Sequence, residues 1–285
     1  MTTSRAVFIT GAAAGIGRAT ALTFARKGFV VGGYDIDETG LKSLADEIDA
    51  LGGRSRVGHL DVTDADEMAT RIGEFAAFAD DRLDVLVNNA GILRSGRFEE
   101  LDLTGHHREI DINVKGVVNG LHAAFPYLRR TPGALVVNLS SASAIYGQAE
   151  LATYSATKFF IRGITEALDI EWSRHGIRVI AMWPLFVQTA MTDDLHTGTT
   201  DSLGIRLSAQ DVADAILAAA EPSWLRRALH QVHFPVGAQT KALVLGSRFS
   251  PGLADPADQQ ETRALLISVI ARGDDRRHGS YPSAP

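Results

Sequence analysis

Short β-branched runs alternate with longer stretches of helical periodicity along most of this chain, and that alternation predicts its architecture. Strands are expected at residues 6–10, 29–34, 56–60, 83–87, 134–139 and 178–182. Helix-length patterns lie between and after them, at 16–27, 38–51, 64–78, 104–128, 154–175 and 209–220. Several strands are apolar at consecutive positions and so have no face to offer water. The predicted class is α/β, a doubly wound parallel sheet of about seven strands with helices on both faces.

Beyond the sixth strand the pattern loosens. Residues 185–207 are rich in Thr, Asp and Gly and follow a strand whose carboxyl end should face a ligand, so they read as a lid. A strand at 230–234 leads into a helical extension at 238–271, whose first half has an apolar stripe suited to a core helix or an oligomer contact. Residues 273–285 carry charge, Pro and Gly without periodicity and are expected to be a disordered tail. With no internal linker, residues 1–272 read as one domain.

Composition narrows the function. Acidic residues (34) outnumber basic ones (28), the net charge is -6, and no segment concentrates Lys and Arg, which argues against a nucleic-acid partner. The absence of cysteine removes disulfide and thiolate chemistry. No apolar run approaches the roughly 18 residues of a membrane span, and no basic-then-apolar leader opens the chain. A soluble, cytoplasmic protein is expected. The histidines show no ligand spacing, so no metal is expected, and His230 and His233 read as surface residues.

Two local patterns carry chemistry. Thr10, Gly11, Gly15, Ile16 and Gly17 lie where the first strand turns into the first helix, a place where small residues let backbone amides approach a pyrophosphate. Asp35, at the end of the second strand, is placed to accept hydrogen bonds from an adenosine ribose and to repel a 2′-phosphate. With Ile36 next in sequence and Arg18 inside the first helix, NAD is favoured over NADP. The alternative for Asp35 is a helix N-cap, a part Asp37 could play instead. Farther on, Tyr154 and Lys158 stand four residues apart in a helical pattern, which brings ammonium and phenol to one face. A nearby cation lowers a phenol pKa, so this tyrosine is a candidate general acid/base.

Together these residues resemble the short-chain dehydrogenases/reductases, in the branch with chains of about 250 residues. The resemblance spans roughly residues 5–191 and rests on residues 10–17, Asp61-Val62, Asn88-Asn89-Ala90-Gly91, Asn113, Ser140-Ser141, Tyr154 with Lys158, and residues 184–189, all in the family's order. It implies a Rossmann-type sheet. It also implies that Asp61 and Val62 meet the adenine, while Asn88, Ala90 and Gly91 border the cofactor, and that Val187 and Thr189 contact the carboxamide. By the same resemblance Ser141 steadies the substrate oxygen, Tyr154 is the acid/base, Lys158 lowers its pKa and holds the nicotinamide ribose, and Asn113 holds a water that relays protons. Leu185 departs from the family's usual glycine after Pro184, and the Asp-Gly-Gly often found near the last strand is missing.

The substrate is less legible. Leu93, Ser143, Ile145, Leu151, Leu185, Phe186 and Met191 are expected to border its pocket, with Ile92 beside them. A wall this apolar suits a hydrophobic secondary alcohol or ketone. An NADPH-dependent 3-oxoacyl-thioester reductase is the alternative, against which Asp35 argues, and an inactive NAD(H)-sensing protein is the alternative from another class. A homo-oligomer, dimer or tetramer, is expected, built on the helices at 104–128 and 154–175.

Overall fold

The strands form by pairing in parallel, and their order decides where the chain opens. In the computed structural model, which describes residues 4–189, 207–221 and 231–249, seven strands make one sheet in the order β3-β2-β1-β4-β5-β6-β9. They are β1 (Ala6–Thr10), β2 (Val30–Asp35), β3 (Arg54–His59), β4 (Val85–Asn88), β5 (Leu135–Leu139), β6 (Arg178–Pro184) and β9 (His233–Val236). Two short strands, β7 (Val187–Gln188) and β8 (Leu207–Ser208), pair apart from it. Successive crossovers run outward from β1 in one direction and from β4 in the other. A crevice therefore opens between their carboxyl ends, the switch point where such sheets bind ligands.

Alternation along the strands explains why both faces are buried. Val7, Ile9, Val31, Val85, Val87, Val137 and Ile180 point into one apolar core, under α1 (Gly15–Arg26), α2 (Glu38–Ala50) and α7 (Ala209–Ala220). Ala6, Phe8, Val30, Leu86, Val136 and Val179 point into the other. That second core lies under α3 (Ala65–Phe78), α5 (Gly116–Arg130) and α6 (Ala152–Ser173). A strand packed on both sides has no polar face to show in its sequence.

One expected element is broken. Instead of a continuous helix over 104–128 there is α4 (Leu103–Ile110), one turn of π-helix (Asp111–Lys115), then α5. The wide turn contains Asn113, whose amide oxygen accepts from Ile92 N (2.8 Å) and whose Nδ2 donates to Ile92 O (2.9 Å) and Thr157 Oγ1 (3.2 Å). A buried polar clamp of this kind offsets the cost of one irregular turn.

The last helix, α8 (Ala238–Phe249), follows the sheet. Its Leu243 packs against an apolar cluster that includes Tyr154, and Val244 against one around Trp183, so the stripe faces the protein at these positions. Near it, His233 departs from the surface role expected of it. Its ring stacks on Trp183 (centroids 4.4 Å apart) and Nε2 bonds Glu166 (2.7 Å), while burial pulls its pKa down. Residues 250–271 of the expected extension, the 273–285 tail, His230 and most of the expected lid lie outside the described residues.

Candidate active site

The crevice is held open by Thr10 and Asn89. Thr10 Oγ1 accepts from the backbone N–H of Asn89 (3.1 Å) and Ala90 (3.0 Å), and Asn89 Nδ2 donates to the carbonyls of Thr10 (2.9 Å) and Gly11 (3.0 Å). Gly11 turns the chain there at a φ of 67°, in the left-handed region. One turn into α1, a Cβ on Gly17 would overlap the Gly11 carbonyl, so only glycine lets the helix start this close to the strand. Gly17 and Thr10 thus stand behind the crevice, while Gly11, Gly15 and Ile16 line it.

The start of α1 differs from those of α2 and α3. Asp37 caps α2 by accepting from Thr39 N and Gly40 N, and Asp64 caps α3 in the same manner. At α1 the N-cap is Ala14, with no side-chain cap, and Ala14 lines the crevice. The uncapped first-turn amides suit an anion. Because Asp37 serves as the cap, Asp35 is left to the crevice. Its Oδ2 accepts from Ala13 N (3.0 Å) and its Oδ1 from Asp37 N (3.1 Å), which fixes the carboxylate beside the glycine turn. Arg18 is turned away onto α2, bonded to Glu47 (2.7 Å), Ser43 (2.9 Å) and Gly40 O (3.0 Å).

A cleft of about 360 Å³ continues from this turn to the first turns of α6. Asp61, Val62, Ala90, Gly91, Val187 and Thr189 line it, and so do Leu93, Ser141, Ser143, Tyr154, Lys158, Leu185 and Phe186. The Thr63 backbone N–H, and then its hydroxyl, hold the Asp61 carboxyl below its usual range. Thr189 lies opposite Gly15, its Cγ2 within 3.3 Å of where a Cβ on that glycine would be. Asn88 and Asn113 act from behind. Asn88 Nδ2 donates to Asn138 Oδ1 (2.9 Å), and Asn138 Nδ2 to Thr165 Oγ1 (3.0 Å), which ties α6 to β4 and β5. Leu151 and Ile145 belong to the apolar cluster formed by Ala142, Tyr154, Leu185 and Phe186 rather than to the lining itself. Leu185 takes no positive φ, so its backbone accommodates a side chain without strain there. Met191 lies outside the described residues.

The Tyr154 and Lys158 side chains meet as their spacing predicts. Lys158 Nζ stands 5.3 Å from the Tyr154 ring centroid and donates to Leu139 O (3.0 Å). Ser141 also caps a short 3-10 turn, Ala142–Ala144, accepting from Ser143 N while its hydroxyl donates to Ser143 Oγ (3.1 Å).

The electrostatics differ from the expectation. Burial pushes the Tyr154 phenol up to about 12, with the Ser141 hydroxyl opposing and the Glu109 carboxylate reinforcing that rise. Burial likewise brings the Lys158 amine down to about 8, opposed by Glu109. Loss of water is the largest influence on both groups. Glu109 itself, missed in the sequence, is buried on α4, accepts from Arg94 N (3.1 Å) and has its own pKa raised by burial. Nothing in its spacing marks it; only the packing of α4 on α6 does.

Lys158 gives a pH test. Its folded pKa of about 8 lies below the ordinary 10.5, so between those values the unfolded chain holds more protons and stability rises with pH. The tyrosine acts in the opposite sense, but only above its ordinary 10. From pH 7 to pH 10 the wild type should therefore gain about 2 kcal/mol relative to Lys158→Met. Urea unfolding of both proteins at the two pH values measures it, and a constant gap would show that the amine is not held near 8.

A parallel sheet that opens at its switch point onto a glycine turn, with tyrosine, lysine and serine on the facing wall, defines a dinucleotide-binding oxidoreductase scaffold. Comparison with known proteins agrees. The family model for short chain dehydrogenases matches residues 5–200, and the chain belongs to the short-chain dehydrogenase/reductase family. It is 38% identical over 187 residues to a 3-oxoacyl-[acyl-carrier-protein] reductase of Thermotoga maritima, covering 66% of this chain and 76% of that protein. It is 32% identical over 189 residues to a cyclohexanol dehydrogenase of Acinetobacter sp., covering 66% and 75%. Among solved structures, a 3-ketoacyl-(acyl-carrier-protein) reductase from Brucella melitensis complexed with NADH superposes with a TM-score of 0.74 at 26% identity, over 81% of this chain and 96% of that one. The chain is thus an oxidoreductase of CH–OH or keto groups. No helix among its described residues is long and apolar enough to cross a membrane.

Proposed function

We propose that this protein transfers hydride between NAD(H) and a largely apolar secondary alcohol or ketone, with Tyr154 as general acid/base. The observation that carries this reading is the continuity of one cleft from the uncapped start of α1 and the Asp35 carboxylate to the buried Tyr154 and Lys158. These residues fit a dinucleotide. The α1 amides suit the pyrophosphate, Asp35 accepts from the adenosine ribose, Asp61 and Val62 border the adenine, and Val187 and Thr189 stand at the carboxamide end. Bound there, the nicotinamide supplies or accepts the hydride.

The chain's own residues do the rest. Ser141, turning its hydroxyl from Ser143, donates to the substrate oxygen, Tyr154 gives it a proton or takes one, and Lys158 holds the ribose hydroxyls beside the phenol. Asn113 fixes the Ile92 backbone and Thr157, and a water at its turn relays protons from Lys158 towards solvent. Exposed apolar side chains on the long helices, Val118 on α5 with Phe159 and Ile170 on α6, suit a homodimer built on these faces.

A second reading, a 3-oxoacyl-thioester reductase, is supported by the Thermotoga maritima relative. Asp35 does not set it aside, because the Brucella melitensis structure pairs that activity with NADH. Fluorescence titration with NADH and NADPH, followed by an absorbance screen of cyclic ketones, secondary alcohols and an acetoacetyl thioester, separates the readings. We expect NADH to bind at least about tenfold tighter, a difference of about 1.4 kcal/mol, with turnover of the ketones. Tighter NADPH binding would overturn the assignment of Asp35, and turnover confined to the thioester would favour the second reading.

A further inference from the structure

The loop between Ser141 and Tyr154 carries one side chain that none of these roles uses. Gln148 is 6% exposed and lines the cleft, yet its Oε1 has no hydrogen-bond partner among the described residues. The loop is pinned around it: Gln148 N donates to Ser155 Oγ (3.1 Å), Leu151 N to Gln148 O (3.3 Å), and Gly96 N to Glu150 O (2.9 Å). Two other polar groups of the wall, Ser141 and Ser143, bond each other and not Gln148 Oε1. Around them the wall is apolar, formed by Leu93, Leu185 and Phe186. A buried amide oxygen left unpaired is costly, a penalty that a bound ligand's polar group would remove.

On the reading that this is a ketone or alcohol oxidoreductase, we infer that Gln148 is the second polar contact of the substrate site, and that the substrate carries a second oxygen on the adjacent or next-but-one carbon from the reacting one. The short distance follows from the place of Gln148 in the loop that joins Ser141 to Tyr154, the two residues assigned to the reacting oxygen, all three lining one cleft. The unpartnered atom is an acceptor with almost no accessible surface, so a hydroxyl meets it once the amide turns towards the cleft; the same amide turned over offers N–H to a carbonyl. The class is therefore a hydroxyketone, diol or dicarbonyl on an apolar frame, as opposed to a simple apolar ketone. A 3-oxoacyl group falls within it, as does a dioxygenated ring.

The test compares cyclohexanone with 2-hydroxycyclohexanone on the wild type, Gln148→Leu and Gln148→Met. In the wild type, kcat/KM should favour the hydroxyketone, and that preference should fall by about tenfold or more in both variants. A preference unchanged by the substitutions, or none in the wild type, overturns the inference. Thermal melting of the NADH-bound protein supplies a readout without turnover. The hydroxyketone should raise the wild-type melting temperature more than cyclohexanone does, and the difference should vanish in the variants. If NADH binds but the wild type reduces neither ketone, the apolar-ketone reading of the site is what fails. The melting difference then decides the role of Gln148 by itself, its absence refuting the inference.

Discussion

Tyr154→Phe should lower turnover by about 10²–10⁴-fold while NADH affinity stays within about threefold, the loss general acid–base catalysis normally accounts for. The fold should tolerate the change, because the ring packs with Leu151, Leu185 and Phe186 and only the hydroxyl is removed. Burial holds that hydroxyl protonated, at about 12. The phenol should then stay in the protonated form that ketone reduction needs from pH 6 to 9, leaving only the Lys158 amine to titrate there, whereas alcohol oxidation, which needs the phenolate, should climb through that range. Steady-state rates in both directions, with NADH titration of the variant, check all three statements. Residual turnover within about tenfold of the wild type would remove Tyr154 from the reaction.

The second large effect concerns the choice of dinucleotide. Asp35→Ala combined with Ile36→Arg should shift the ratio of kcat/KM for NADPH over NADH by about 100-fold, through loss of like-charge repulsion and gain of a phosphate partner. Absolute affinity for both cofactors should fall as well, since the alanine leaves the Ala13 and Asp37 amides without their acceptor. Asp35→Asn paired with Ile36→Arg retains an acceptor and separates the two effects. If the ratio does not move, a residue other than Asp35 sets the preference.

Much of the fold could be read from the chain because its information is local. Two-sided burial forces consecutive apolar residues in β1, β4, β5 and β6, and glycine is required where Gly11 and Gly17 bring strand and helix together. The spacing of Tyr154 and Lys158 survives intact for the same reason, as a property of one helix. What stayed hidden depends on contacts between distant segments. The π-turn answers to Ile92, 21 residues away, and helix periodicity is silent about such a partner. Gln148 sits in a loop whose side-chain directions no periodicity sets, and Glu109 is buried only because α4 lies on α6. The rise of the tyrosine pKa had the same origin, since residue spacing records the neighbouring lysine but not the exclusion of water.

The wide turn at Asp111–Lys115 also bears on how this chain can change over time. It has the form left by a one-residue insertion in a helix, and it keeps two buried faces in phase: His106 and Glu109 before it, Val117 and Leu121 after it. Deleting a single residue there would restore an ordinary helical ladder but turn one face against the other by about 100°. Asn113 apart, the side chains of this segment should therefore tolerate exchange more readily than the segment tolerates a change of length.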